Sequence, residues 1–193
     1  MSGPAVGLWL FERRECQDVL ADVIPWLESF CEPVETRVGN DLDFWVRDGS
    51  AVGLPAFDQT GVGVFFLAED EEIPAEDEDY SALPKPPVQG LVLGAGCSGP
   101  VNHLLLGHLA LALANRFDAL IDFDGILGHP TPGDGTDRDA CLNHARALVA
   151  SLPGSVAEVS YDTGGGGRWW LRHVGDAEFL AAWLRHPAFH LVK

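Results

Sequence analysis

Gly94, Gly96 and Gly99 in "VLGAGCSGPVNHLLLGH" fit G-x-G-x-x-G, a spacing that can lay a pyrophosphate on a helix N-terminus. The chemistry on offer is nucleotide binding. His103 falls one turn into the helix that the loop would open, where the positive end of the helix dipole favours a neutral imidazole. Asp122 and Asp124 end the next apolar run, at a place where a ribose hydroxyl or an acid/base partner of His103 could meet them. A nucleotide-binding protein or enzyme using Gly94, Gly96, Gly99, His103 and Asp122 is therefore one reading. In the other, the loop is a plain strand-to-helix turn and His103 a core histidine bonded to backbone.

The remaining chemistry is thinner. Asp122, Asp124 and His129 bring metal donors but no second group of ligands, so no metal site is expected. His103 and His108 stand about 140° apart round a helix and cannot chelate one ion from a single face. Four cysteines, at 16, 31, 97 and 141, form no C-x-x-C pair, and three of them sit in helical apolar patterns. "TGGGG" at 163–167 reads as a hairpin tip or a phosphate nest, and no G-x-S-x-G sets up a nucleophile. No cofactor and no catalytic residue is expected in the second reading.

The elements that would carry these residues mix strands and helices without strict alternation. "AVGLWLF" (5–11) is a buried strand, and Cys16, Val19, Leu20, Val23, Ile24, Leu27 and Phe30 recur at helical spacing. Pro25 should kink that helix or split off its last turn. Extended segments follow at 34–47, with a turn at Gly39-Asn40-Asp41, and at 62–68. Residues 88–95, a helix from Pro100 to about Arg116, and 119–124 form a β-α-β unit. Thr136 starts a helix with Asp139 at capping-box spacing, two strands flank the glycine run, and Asp176 caps a last helix bearing Phe179, Leu180, Trp183 and Leu184. Pro187 ends it and "AFHLV" closes the chain as a strand.

The pattern implies an α+β fold: a mostly antiparallel sheet packed by about four helices, in one domain over 1–193 whose halves each resemble a ferredoxin-like unit. The halves are 1–68 and 88–193. Between them, "EDEEIPAEDEDYSALPKPP" (69–87) reads as an exposed acidic connection.

Charge is the feature that sorts functions. The chain has a net charge of −17, of which −7 lies in 1–68, −8 in 69–79 and −2 in the rest. Such a field repels nucleic acid and anionic membrane and speeds encounter with a basic partner. Glu69, Asp70, Glu71, Glu72, Glu76, Asp77, Glu78 and Asp79 are the candidate partner-binding residues. The longest apolar run, "LLLGHLALALA", is about half what a bilayer needs, and nothing at the N-terminus resembles a leader. A cytoplasmic protein is expected, with its oligomeric state open. Gly107, Ala110 and Ala114 make a small-residue stripe that admits a close neighbour.

The run "NHLLLGHLALALANRFDALIDFDGIL" (102–127) resembles an uncharacterised family of small acidic bacterial proteins, some of them associated with the immunity genes of polymorphic toxin systems. The resemblance implies a non-catalytic immunity protein that neutralises a cognate toxin by covering its surface. It brings no catalytic residues.

Overall fold

The computed structural model describes residues 3–37, 39, 41–128, 138–162 and 169–192. Thr136, His129 and the glycine run 163–167 lie outside them. Strands are β1 (Ala5–Leu10), β2 (Glu35–Thr36), β3 (Leu42–Phe44), β4 (Phe65–Asp70), β5 (Glu78–Asp79), β6 (Gln89–Ala95), β7 (Leu120–Asp122), β8 (Val156–Asp162) and β9 (Trp169–Gly175). Helices are α1 (Cys16–Glu28), α2 (Pro100–Phe117), α3 (Arg138–Ala150) and α4 (Ala177–Trp183). The fold is α+β.

All nine strands join one sheet in the order β2-β3-β4-β6-β1-β7-β9-β8-β5, and every neighbouring pair is antiparallel. β1 and β4 are parallel with β6 between them, while β6 and β7 are parallel with β1 between them. α1 lies in the first connection and α2 in the second. This is the doubly split β-α-β order of a ferredoxin-like core. The two sequence halves do not build one such unit each. They interleave to make a single one, because each leaves its β-α-β gap to be filled by a strand of the other.

Alternation along the central strands divides the residues between two faces. Val6, Leu8 and Leu10 of β1 and Leu91 and Leu93 of β6 point toward the helices and share a core with Val19, Val23 and Leu27 of α1 and Leu105, Leu109 and Leu113 of α2. Trp9 points the other way and joins a smaller cluster with Ile73, Leu83, Val159 and Val174. That cluster needs the 71–83 segment as its cover.

Local chemistry explains the ends. α1 runs unbroken through Pro25 to Glu28. α2 starts at Pro100, which fits a first-turn position lacking a backbone partner, and stops at Asp118 with φ +51°. Gly107 lets α2 approach closely: a Cβ there would fall 2.8 Å from both Leu184 and Phe189. Asp176 caps α4 by accepting from the Phe179 amide at 2.8 Å. Among the described residues no helix is long and apolar enough to cross a membrane.

Three more expectations change. The segment 69–87 is not wholly an exposed connection: β4 continues through Asp70, β5 pairs with β8, and Ile73 and Leu83 are buried. The closing 188–192 segment is not a strand. It packs instead, with Leu191 and Val192 buried and the Leu191 amide donating to His103 Nδ1 at 3.1 Å. Cys31 lies past the end of α1, bridged to Val46, and burial pushes its thiol up to about 12.

Candidate functional site

The face away from the helices carries the charges. The register pairs Gly7 with Asp122, Asp122 with Val174, and Gly90 with Asp70, so Asp70, Asp122 and Arg172 fall on one side of the sheet. Gly7 makes this possible. A Cβ at that position would stand 3.1 Å from Asp122 Cβ and 3.3 Å from the Trp9 indole nitrogen.

Arg172 is the hub. Its Nη1 donates to Asp122 Oδ2 at 2.7 Å, its Nη2 lies 3.1 Å from Glu78 Oε1, and its guanidinium sits 4.5 Å from the Tyr161 ring centre. The Asp122 and Glu78 side chains are only 5% and 4% exposed. Asp122 Oδ1 accepts from the Asp124 amide at 2.9 Å. Two polar atoms of the triad, Glu78 Oε2 and Arg172 Nε, are buried without a hydrogen-bond partner among the described residues. Buried acceptors in native proteins are rarely left so.

Above the triad opens a cleft of about 400 Å³. Asp70, Glu72, Ile73, Ala75, Asp77 and Glu78 line it together with Tyr161, Asp162 and Arg172, and the Asp162 amide donates to the Asp77 carbonyl at 2.9 Å. The low-dielectric setting shows in the titrating groups. Burial raises Asp122 to about 6 despite the pull of Arg172, and it raises Asp124, with Asp70 adding repulsion. The Tyr80 phenol is pushed up by burial and by Glu78, the Tyr161 phenol by burial and nearby carboxylates. Burial pulls the Arg172 guanidinium down, but Asp122 and Glu78 outweigh it and hold the group charged.

The eight acidic residues picked out by sequence therefore divide. Asp70, Glu72, Asp77 and Glu78 line the cleft, whereas Glu69, Glu71, Glu76 and Asp79 are exposed outside it. Asp79 instead accepts from the Ser81 amide at 3.0 Å, and Glu69 accepts from Gln89 Nε2 at 3.2 Å.

The glycine loop is filled by the protein's own atoms. The place of a Gly94 Cβ is taken by the Phe66 ring, and one at Gly96 would meet Val64 Cγ1 at 2.7 Å. The Gly96 amide donates to the Val64 carbonyl at 2.7 Å, and Gly99 is the residue before α2. Buried Asn102 ties that helix start to the chain before β4, accepting from the Gly63 amide and donating to the Gly61 carbonyl, both at 2.9 Å. His103 faces the C-terminal segment on the helix side of the sheet, with Asp122 on the opposite side. The structure does not bring these two together.

His108 Nδ1 stands 2.9 Å from the Val52 carbonyl. Among the described residues no three His, Cys, Asp or Glu side chains are placed to hold a metal ion.

A family model covers residues 2–193, nearly the whole chain. The protein belongs to DUF6368, a family of unknown function. No curated protein and no solved structure matches it.

Membership in DUF6368 brings no assigned chemistry, so the arrangement must be read directly. Sequence reasoning found Asp122 and the acidic run but missed Arg172 and Tyr161, which complete the site. The alternation "WWLRHVG" in β9 carried part of the signal, since it puts Arg172 and Val174 on one face. What the arrangement offers is a concave, carboxylate-rich surface whose one cation among the described residues is already neutralised by two partners. It suits cationic groups and repels phosphates.

Proposed function

We propose that the protein acts by binding rather than by catalysis, covering a basic partner with its acidic surface in the manner of an immunity protein that neutralises a cognate toxin. The observation that carries this reading is the cleft: four carboxylates of the 69–79 segment line it, and among the described residues its one guanidinium, Arg172, is spent on Asp122 and Glu78. The exposed Glu71, Glu76 and Asp79 of the same segment extend the negative field outward, where it steers encounter. The resemblance of 102–127 to acidic bacterial proteins linked with toxin immunity supports the same class of partner.

The test is association with the basic domain of a toxin encoded beside the gene. Reversing Glu71 and Glu76 to lysine should slow the association rate by about tenfold or more at low ionic strength and less at 0.15 M salt, where screening acts over about 8 Å. Co-expression should restore growth to cells making that toxin. An unchanged on-rate together with no rescue overturns the proposal.

A further inference from the structure

We propose that His103 and His173 are the two catches of an acid-sensitive latch, which frees the 123–128 and 188–192 segments together when both imidazoles take a second proton. Neither segment is helix or strand, yet Leu127, Leu191 and Val192 are buried. The Leu127 amide donates to His173 Nδ1 at 3.0 Å, and the Leu191 amide donates to His103 Nδ1 at 3.1 Å. The His173 backbone adds two bonds, accepting from the Phe123 amide and donating to the Gly125 carbonyl, both at 3.0 Å. In the closing segment the Ala188 and Phe189 amides bond locally to His186, whereas the Leu191 bond crosses to α2. A ring nitrogen that accepts carries no proton, so both imidazoles are neutral with the proton on Nε2. A second proton turns the acceptor into a donor facing an amide N–H, and the bond is lost. The catches are coupled because the segments touch: a Cβ at Gly125 would stand 3.1 Å from Val192 Cγ1.

The charges around each ring are few. His173 meets Glu158 of β8, 3.9 Å from its Nε2, and Arg146 of α3, which bonds the same carboxylate; His144 of α3 lies beside Gly128. Burial and Arg146 favour the neutral ring, and Glu158 favours the charged one. His103 shares a cleft of about 390 Å³ with His186 and His190 at the positive end of α2, so charge on those rings repels charge on His103. Opening uncovers the α2 face at Gly107, where a Cβ would fall 2.8 Å from Phe189. The latch lies on the helix side of the sheet and does not depend on how the acidic face is used.

The test follows amide hydrogen exchange of the full chain by NMR between about pH 7.5 and pH 5, as protection factors, so that the intrinsic pH dependence of exchange cancels. Leu127 and Leu191 should lose protection about tenfold or more, in step with protonation of the His103 and His173 rings seen in their nitrogen shifts. Leu8 and Leu93, in the central strands, should change less than about twofold. His103→Gln keeps an acceptor that cannot charge; it should remove most of the acid response at Leu191 and at least halve the response at Leu127. His173→Gln should do the converse, and the half-buried His103 position carries the test alone if the buried substitution unfolds the chain. The latch is overturned if protection at Leu127 and Leu191 is independent of pH, or falls only together with Leu8 and Leu93. It is equally overturned if His103→Gln alters Leu191 and leaves Leu127 as in the wild type.

Discussion

Arg172 Nη1 lies 2.7 Å from Asp122 Oδ2, and this contact joins β9 to β7 beneath the acidic segment. The same guanidinium holds Glu78 of β5, so one side chain fastens the sheet face to the chain that covers it. Its removal leaves two buried carboxylates facing each other without a counter-charge.

Arg172→Met should therefore cost about 3–5 kcal/mol, the usual penalty for breaking a buried pair from one side. Urea unfolding measures it. Arg172→Met combined with Asp122→Leu and Glu78→Leu should recover most of the loss, because no uncompensated charge remains; a triple variant as unstable as the single one would contradict this account.

Asp122 gives stability a pH dependence of definite sign. Burial lifts it from 3.8 to about 6, so between about pH 4 and pH 6 the native state holds its proton more tightly than the unfolded chain. Stability from this group is complete below pH 4 and is lost as pH rises to 6, by about 3 kcal/mol at most. Urea midpoints at several pH values should show a slope in the wild type that is flattened in Asp122→Asn. Parallel curves would refute it.

His173 works in the opposite direction. Its Nδ1 accepts from the Leu127 amide at 3.0 Å, and burial lowers its affinity for a proton although Glu158, 3.9 Å from Nε2, raises it. The stability it contributes is present above pH 6.5 and is lost as pH falls toward its folded pKa, because a second proton would displace the Leu127 bond. An NMR titration of the imidazole should give a midpoint below 6.5.

Gly94 and Phe66 form a pair across β6 and β4 in which the ring occupies the space of a missing Cβ. Gly94→Ala should destabilise by about 1–3 kcal/mol through overpacking. In a Phe66→Leu background the penalty should shrink toward zero, a coupling that a double-mutant cycle reads directly. Full additivity would mean that the glycine serves something other than the ring.

Elements with a strong local signature were legible in the sequence. β1, β6 and α2 follow from apolar runs and from Pro100, and the Asp176 cap was readable from one side chain and its spacing. The acidic segment was misjudged because its composition speaks of solvent, while the burial of Glu78 is decided by Arg172, 94 residues further on. The glycine triplet left two readings open for a different reason. A requirement for small residues is visible in sequence, but what fills the space, a pyrophosphate or Phe66, is decided by the strand that pairs alongside. The α+β class was legible, whereas the interleaving of the halves depends on pairings that no local pattern encodes.

The interleaving fixes when the protein can fold as it is made. Its central strand, residues 5–10, leaves the ribosome before the strands beside it, which come from residues 89–95 and 120–122. Until those arrive, an apolar ribbon must wait with neither flank covered. Closure is then late and long-range, the circumstance in which contact formation is slow and nascent chains are most prone to stick to one another. The strong negative charge already carried by the emerging stretch keeps such chains apart during that interval.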